Sequence, residues 1–160
     1  MEQLIKTLSE MLRAKGLKLA TAESCTGGLI SAAITELAGS SDVFDRGFVT
    51  YSNQSKIDLL GVSANTIETH GAVSDQTAGE MAQGAINRSQ ADISIAVTGI
   101  AGPSGGTADK PVGLVYIAIG QKNEAPFVTY NLFSGDRESI RRQTTMVAAR
   151  HLISILQQRA

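Results

Sequence analysis

Between residues 17 and 37 the chain passes from an apolar run through a small polar turn into an amphipathic helix, and this junction narrows the fold most. Leu17-Lys18-Leu19-Ala20 reads as a short strand, and Leu29, Ile30, Ala33, Ile34 and Leu37 recur at helical spacing. Thr21-Ala22-Glu23-Ser24-Cys25-Thr26-Gly27-Gly28 lies between them and packs a carboxylate, hydroxyls, a thiol and two glycines into one turn. A strand that enters a helix through small residues leaves backbone N–H groups at the helix start, where anions bind. The same residues also suit a plain N-cap with glycines easing the turn.

Two more strand-to-turn junctions repeat the pattern. Arg46–Tyr51 reads as a strand that leads through Ser52-Asn53 into a short helix at 54–60, stopped by Gly61. Asp92–Val97 reads as a strand buried on both faces that ends in the Gly-rich stretch Thr98–Thr107. Leu4, Leu8, Met11 and Leu12 place a helix before the first strand, with Gly16 at its end. Ser74 is the expected N-cap of a helix that buries Ala78, Met81, Ala82, Ala85 and Ile86. Val112–Ile119 and Pro126–Phe133 read as a hairpin. A last helix over 136–156 buries Ile140, Thr144, Val147, Ala148, Leu152 and Ile155. The order predicts one α/β domain over residues 1–160: a three-layer α/β/α sandwich with a mixed, mainly parallel central sheet. Strands one to three form the parallel part, and the hairpin adds antiparallel strands.

Several function classes fall away on composition. A formal net charge of −1 exerts no general pull on nucleic acid or anionic membrane, and the absence of Trp removes stacking platforms for single strands. No apolar run reaches the roughly 18 residues of a spanning helix. Cys25 is the only cysteine, and the N-terminus reads as an amphipathic helix rather than a signal peptide, so a reducing cytoplasmic setting is expected. No His, Cys or Asp cluster has metal-ligand spacing, and Thr26-Gly27-Gly28 and Gly102–Thr107 lack the dinucleotide and P-loop orders. Neither a metal nor a cofactor is expected.

Ligands of open α/β sheets bind beyond the carboxyl ends of parallel strands. That rule brings the turns at Glu23–Gly28, Tyr51–Asn53 and Thr98–Gly102 to one rim, with Lys56 beside them. The two histidines, His70 at a helix end and His151 on the surface of the last helix, are poor candidates for a catalytic triad. A lysine whose pKa is lowered by burial can instead deprotonate a hydroxyl, and Lys56 is the candidate, although lysines on helices are usually solvated. Arg137, Arg141 and Arg142 oppose the dipole of the last helix. They point either to an anionic ligand or to surface salt bridges. Glu23, Cys25 and Lys56 offer a rival Cys-Glu-Lys centre, since a thiol near a helix start can be acidified.

The ordered motifs Ala22–Gly28, Gly39-Ser40-Ser41, Gly47–Asn53 with Lys56, Leu60-Gly61-Val62, Gly71–Ser74, Thr98–Pro103, Gly105-Gly106, Lys110–Gly113 and Phe133–Arg137 span nearly the whole chain. Together they resemble the CinA C-terminal domain family, in its stand-alone form. The resemblance implies hydrolysis of the carboxamide of nicotinamide mononucleotide to nicotinate mononucleotide and ammonia, with no cofactor. It carries Ser24, Ser41, Tyr51, Lys56 and Thr98 over as catalytic groups: Ser41 as nucleophile, Lys56 as base, and Ser24 and Thr98 as positioning or oxyanion groups, although strand geometry places Ser41 only slightly ahead of Ser24 as nucleophile. Thr26, Gly27, Gly28, Asn53, Gly99, Ala101, Gly102, Arg137 and Arg141 are the candidate substrate-binding residues. Ser41 precedes the second strand and Lys56 follows it, so their meeting requires a folded-back segment or a second subunit. A homodimer or larger homo-oligomer is therefore expected. The alternative outside enzymes is a non-catalytic nucleotide- or partner-binding module of the same family.

Overall fold

The computed structural model describes residues 1–158. Its elements run α1 (Glu2–Lys15), β1 (Leu19–Glu23), α2 (Leu29–Thr35), a 3-10 turn at Ser40–Asp42, β2 (Phe44–Val49), α3 (Asn53–Leu60) and α4 (Ala64–His70). They continue with α5 (Asp75–Asn87), β3 (Ile93–Gly99), β4 (Leu114–Gln121), β5 (Glu124–Leu132) and α6 (Arg137–Gln158). The sheet order is β2-β1-β3-β4-β5. β1 pairs in parallel with β2 and β3, whereas β4 is antiparallel to both β3 and β5. Only β4 is reversed, so the sheet is mixed and mainly parallel, as the sequence predicts.

Strand alternation assigns the two faces. Leu19, Ile93, Ile95, Val97, Val115, Ile117 and Ile119 pack against α1, α2 and α6. The intervening Ala20, Ala22, Ala96 and Ala118 meet Leu60 of α3 and Ala78, Met81, Ala82 and Ala85 of α5. This second face is built of small side chains, which lets α5 lie close to the sheet. α5 also packs closely on the end of α3, because a Cβ on Gly84 would overlap the Leu60 carbonyl. That contact fixes the helix carrying Lys56.

The first strand begins and ends later than the sequence predicts. Leu17 belongs to the end of α1, donating to the Leu12 carbonyl after the left-handed Gly16. The strand then runs on through Thr21 and Glu23, polar residues that are fully buried and side-chain bonded. β2 is shifted the other way, running from Phe44 to Val49 where Arg46–Tyr51 is predicted. α4 escaped the pattern because none of its residues is buried. His151, expected on the surface of the last helix, is only partly exposed. It is half-buried over β5, packed edge-on against Phe127, with Nε2 3.3 Å from Thr129 Oγ1.

Candidate active site

At the end of β1, alternation turns two adjacent polar side chains in opposite directions. Glu23 faces α2. Its Oε1 accepts from Thr26 Oγ1 at 2.7 Å and Ile30 N at 2.8 Å, and its Oε2 from Ser31 N at 3.0 Å and Ser31 Oγ at 2.7 Å. The anion that the start of α2 attracts is thus the chain's own carboxylate. Four donors satisfy it, and it has no capacity left for Cys25 or Lys56.

Ser24 faces α3. There Lys56 Nζ lies 2.9 Å from Ser24 Oγ and donates to the Thr50 carbonyl at 2.7 Å. Lys56 is only 1% exposed, and no carboxylate pairs with it among the described residues. Burial lowers its pKa, and only a charged Cys25 would raise it. α3 can present the side chain inward because Ser52 caps it, accepting from Ser55 N at 3.1 Å while Ser55 Oγ accepts from Ser52 N at 3.1 Å. Cys25 has the opposite character. Burial pushes its thiol up to about 11, so at neutral pH it is neither a thiolate nor a match for Lys56.

The pair opens into a cleft of about 270 Å3 whose further walls include Tyr51, Asn53, Thr98, Gly99, Ala101, Gly102 and Arg137. Lys56 and Arg137 are its charged lining groups, and no carboxylate lines it. Arg137 donates to the Gly102 carbonyl and to Tyr51 Oη, both at 2.9 Å. Thr98 Oγ1 donates to the Ala72 carbonyl at 2.8 Å, which ties the 71–74 loop to the end of β3. Ala72 and Val73 therefore line the cleft as well, residues that sequence reading missed because only their neighbour Ser74 carried a recognisable cap signal.

Other predicted residues lie elsewhere. Thr26 is buried and bonded to Glu23. Gly27 and Gly28 adopt φ of 58° and 102° to make the turn, and neither lines the cleft. Arg141 sits behind that turn, donating to the Cys25 carbonyl at 3.2 Å and the Thr26 carbonyl at 2.9 Å. Its guanidinium holds backbone carbonyls, pairs with no carboxylate among the described residues and does not line the cleft. Ser41 is exposed in the 3-10 turn before β2, its carbonyl accepting from Lys18 Nζ at 2.7 Å. Leu19 pairs with Phe44 and Glu23 with Val49, so Ser41 lies at the amino end of the strands and Ser24 at the carboxyl end. Six strand residues, about 20 Å, separate Ser41 from Lys56 within the chain. The segment does not fold back.

His70 is exposed at the end of α4, and His151 does not line the cleft. Among the described residues no three His, Cys, Asp or Glu side chains gather to hold a metal, and no helix is long and apolar enough to cross a membrane. A roomier groove of about 500 Å3 between α1 and α2 is walled by Met1, Ile5, Leu29 and Leu37 and holds no paired nucleophile and base.

Fold and site together define an α/β/α sandwich protein with a serine–lysine cleft where its parallel strands finish. More narrowly, the chain belongs to the CinA C-terminal domain family, whose sequence profile matches residues 1–156. It is 50% identical over 146 residues to the nicotinamide-nucleotide amidohydrolase PncC of Enterobacter agglomerans, covering 91% of this chain and 89% of that protein. With the protein of the same name from Escherichia coli K12 the identity is 45% over 150 residues, covering 94% and 91%. A putative competence-damage inducible protein of Caldicellulosiruptor saccharolyticus is 52% identical over 147 residues, 92% of this chain, but the chain spans only 36% of its length. The solved structure of the competence/damage inducible protein CihA from Agrobacterium tumefaciens superposes with a TM-score of 0.94 at 50% identity, covering 98% and 94%.

Proposed function

We infer that this chain is an amidohydrolase that removes the carboxamide nitrogen of nicotinamide mononucleotide as ammonia, with Ser24 as nucleophile and Lys56 as base. The observation that carries this reading is the buried Lys56 amine 2.9 Å from the Ser24 hydroxyl, with no carboxylate to hold it charged. The PncC name of relatives that match nearly end to end supplies the substrate.

A neutral Lys56 keeps one N–H on the Thr50 carbonyl and turns its lone pair to Ser24. It takes the hydroxyl proton as Oγ bonds to the carboxamide carbon, and the carbonyl oxygen becomes an oxyanion. Tyr51 Oη already accepts from Arg137, so its own proton is free for the substrate. Thr98 is a second donor if its hydroxyl leaves Ala72. The lysine ammonium then protonates the departing nitrogen, the C–N bond breaks, and ammonia leaves an acyl-serine. Lys56 then takes a proton from water as its oxygen attacks the ester carbon, and the lysine ammonium gives that proton to Ser24 Oγ as the C–Oγ bond breaks. The acid product is released.

Ser41 takes no part in this scheme within one chain. A homo-oligomer enters the reading only if another copy delivers that hydroxyl. The substrate class and the protonated lone thiol suit a cytoplasmic enzyme. Incubation with nicotinamide mononucleotide should release ammonia stoichiometrically with the acid product, and Ser24→Ala should stop it. Binding of the mononucleotide without ammonia release would overturn the assignment and leave a binding module.

A further inference from the structure

We propose that the buried hydroxyl of Thr50 is a positioning residue for Lys56, taking the N–H that the Thr50 carbonyl and Ser24 leave over and so aiming the amine lone pair at Ser24. This rests on the reading above and adds a residue to it.

Thr50 is an exception among the buried threonines. Thr21, Thr26, Thr77, Thr98, Thr144 and Thr145 are as deeply buried, and each hydroxyl is bonded to a carbonyl, a carboxylate or another hydroxyl. Thr50 is fully buried, yet its Oγ1 meets no donor or acceptor among the described residues. Gln121 Oε1 shares that state, but the nitrogen of the same amide is bonded to Glu124. A buried hydroxyl left unpaired costs stability, and a valine would fill nearly the same volume without that cost.

Placement supplies a reason for keeping it. Side chains alternate across a strand, and Phe48 packs on the face of the sheet that carries α3 and α5. The backbone stays in the ladder two residues further on, since Thr50 N donates to the Glu23 carbonyl at 2.8 Å. Thr50 therefore turns its side chain to the same face, where Lys56 lies, and Lys56 Nζ is already 2.7 Å from the carbonyl of this same residue.

A neutral amine has two N–H groups and one lone pair. With one N–H on the Thr50 carbonyl, either the lone pair or the second N–H can face Ser24. Only the first arrangement accepts the serine proton, and an acceptor for the second N–H selects it. Thr50 Oγ1 is a buried acceptor with its lone pairs unused, and rotation about Cα–Cβ turns it to the amine. Once Lys56 holds the serine proton, its three N–H groups have the Thr50 carbonyl, Ser24 Oγ and Thr50 Oγ1 as acceptors. No carboxylate competes. Glu23 is turned to α2, Asp58 of α3 and Asp75 of α5 are exposed, and Glu80 of α5 is held by Ser63 N and Thr66 Oγ1. Cys25, Tyr51 and Arg137 are the other titratable groups on the cleft.

The test compares Thr50→Val, which keeps the shape and removes the hydroxyl, with Thr50→Ser, which keeps the hydroxyl. Thr50→Val should lower kcat about 10-fold with KM unchanged, because Thr50 does not line the cleft. The same variant should melt about 2–4 °C higher, since it removes an unpaired buried group. Loss of an acceptor for the ammonium lowers the Lys56 pKa further, so the acid limb of kcat/KM should move to lower pH by about 0.5–1 unit. Thr50→Ser should keep kcat within about twofold of wild type and leave the limb in place. Wild-type kcat or an unmoved limb in Thr50→Val, a melting temperature that falls with kcat, or equal losses in both variants overturns the role while the hydrolase stands. If the wild type releases no ammonia, the hydrolase fails, and thermal melts against pH still decide for Thr50. The alkaline rise in melting temperature should begin at lower pH in Thr50→Val than in wild type, and superimposable profiles overturn the role.

Discussion

Lys56 Nζ and the Thr50 carbonyl lie 2.7 Å apart, so the side chain folds back onto the strand end that precedes its own helix, and a neutral carbonyl rather than a carboxylate holds the amine. A carbonyl orients an amine without stabilising its charge as a carboxylate would. That choice of partner keeps Lys56 out of an ion pair, which the base role proposed for it requires.

The pH dependence follows from it. Burial depresses the Lys56 pKa in the folded chain, so between that value and the ordinary lysine value the unfolded chain binds more protons than the folded one. Stability therefore rises with pH across that window. Activity rises over the acid side of the same window, because only the neutral amine accepts the serine proton. Lys56→Met should abolish turnover and flatten the alkaline rise in melting temperature, read by thermal melts from neutral pH upward. A variant that keeps the full rise would assign it to another group.

Ser24→Ala should reduce kcat by at least about 10³-fold, while Ser41→Ala stays within about twofold. Pre-steady-state ammonia release from each variant gives the answer. Loss of the burst in Ser41→Ala would mean that a second copy supplies the nucleophile. Cys25→Ala should remain active, since its thiol stays protonated near neutral pH.

Glu23→Gln tests the turn beneath the serine. A glutamine can present one acceptor oxygen where Glu23 presents two, and its amide would then face the Ser31 N–H and hydroxyl. The buried donors left unpaired should cost about 2–3 kcal/mol, a fall of about 4–12 °C in melting temperature. An unchanged melt would show that Ser31 finds another acceptor.

Arg141→Met removes the donors that hold the Cys25 and Thr26 carbonyls from behind. It should lower kcat by about 10- to 100-fold through displacement of Ser24 while leaving KM nearly unchanged, because Arg141 does not line the cleft. A rise in KM alone would place Arg141 on the substrate instead.

The rim was legible because each of its pieces follows a strand: Ser24, Tyr51 and Thr98 sit just beyond or at the ends of β1, β2 and β3, and parallel pairing aligns those ends. The division of labour within the turn was not legible. Thr26, Gly27, Gly28 and Arg141 resemble ligand groups in composition, yet their partners are Glu23 and nearby backbone, contacts that depend on which face each side chain takes. Ala72 and Val73 reach the cleft through a bond to Thr98 26 residues further along, and apolar residues in a loop carry no local mark of such a contact.

Local sequence thus determined the elements, their order and the rim, because hydrophobic spacing, caps and glycines act over a few residues. The tertiary structure alone decided that Glu23 turns to α2 while Ser24 turns to Lys56, and that Ser41 stays at the far end of the strands. It also decided that Lys56 is buried without a counter-charge. The reason is physical: a side chain's chemistry is set by the dielectric and the partners around it, and these come from segments that meet only when the sheet is assembled.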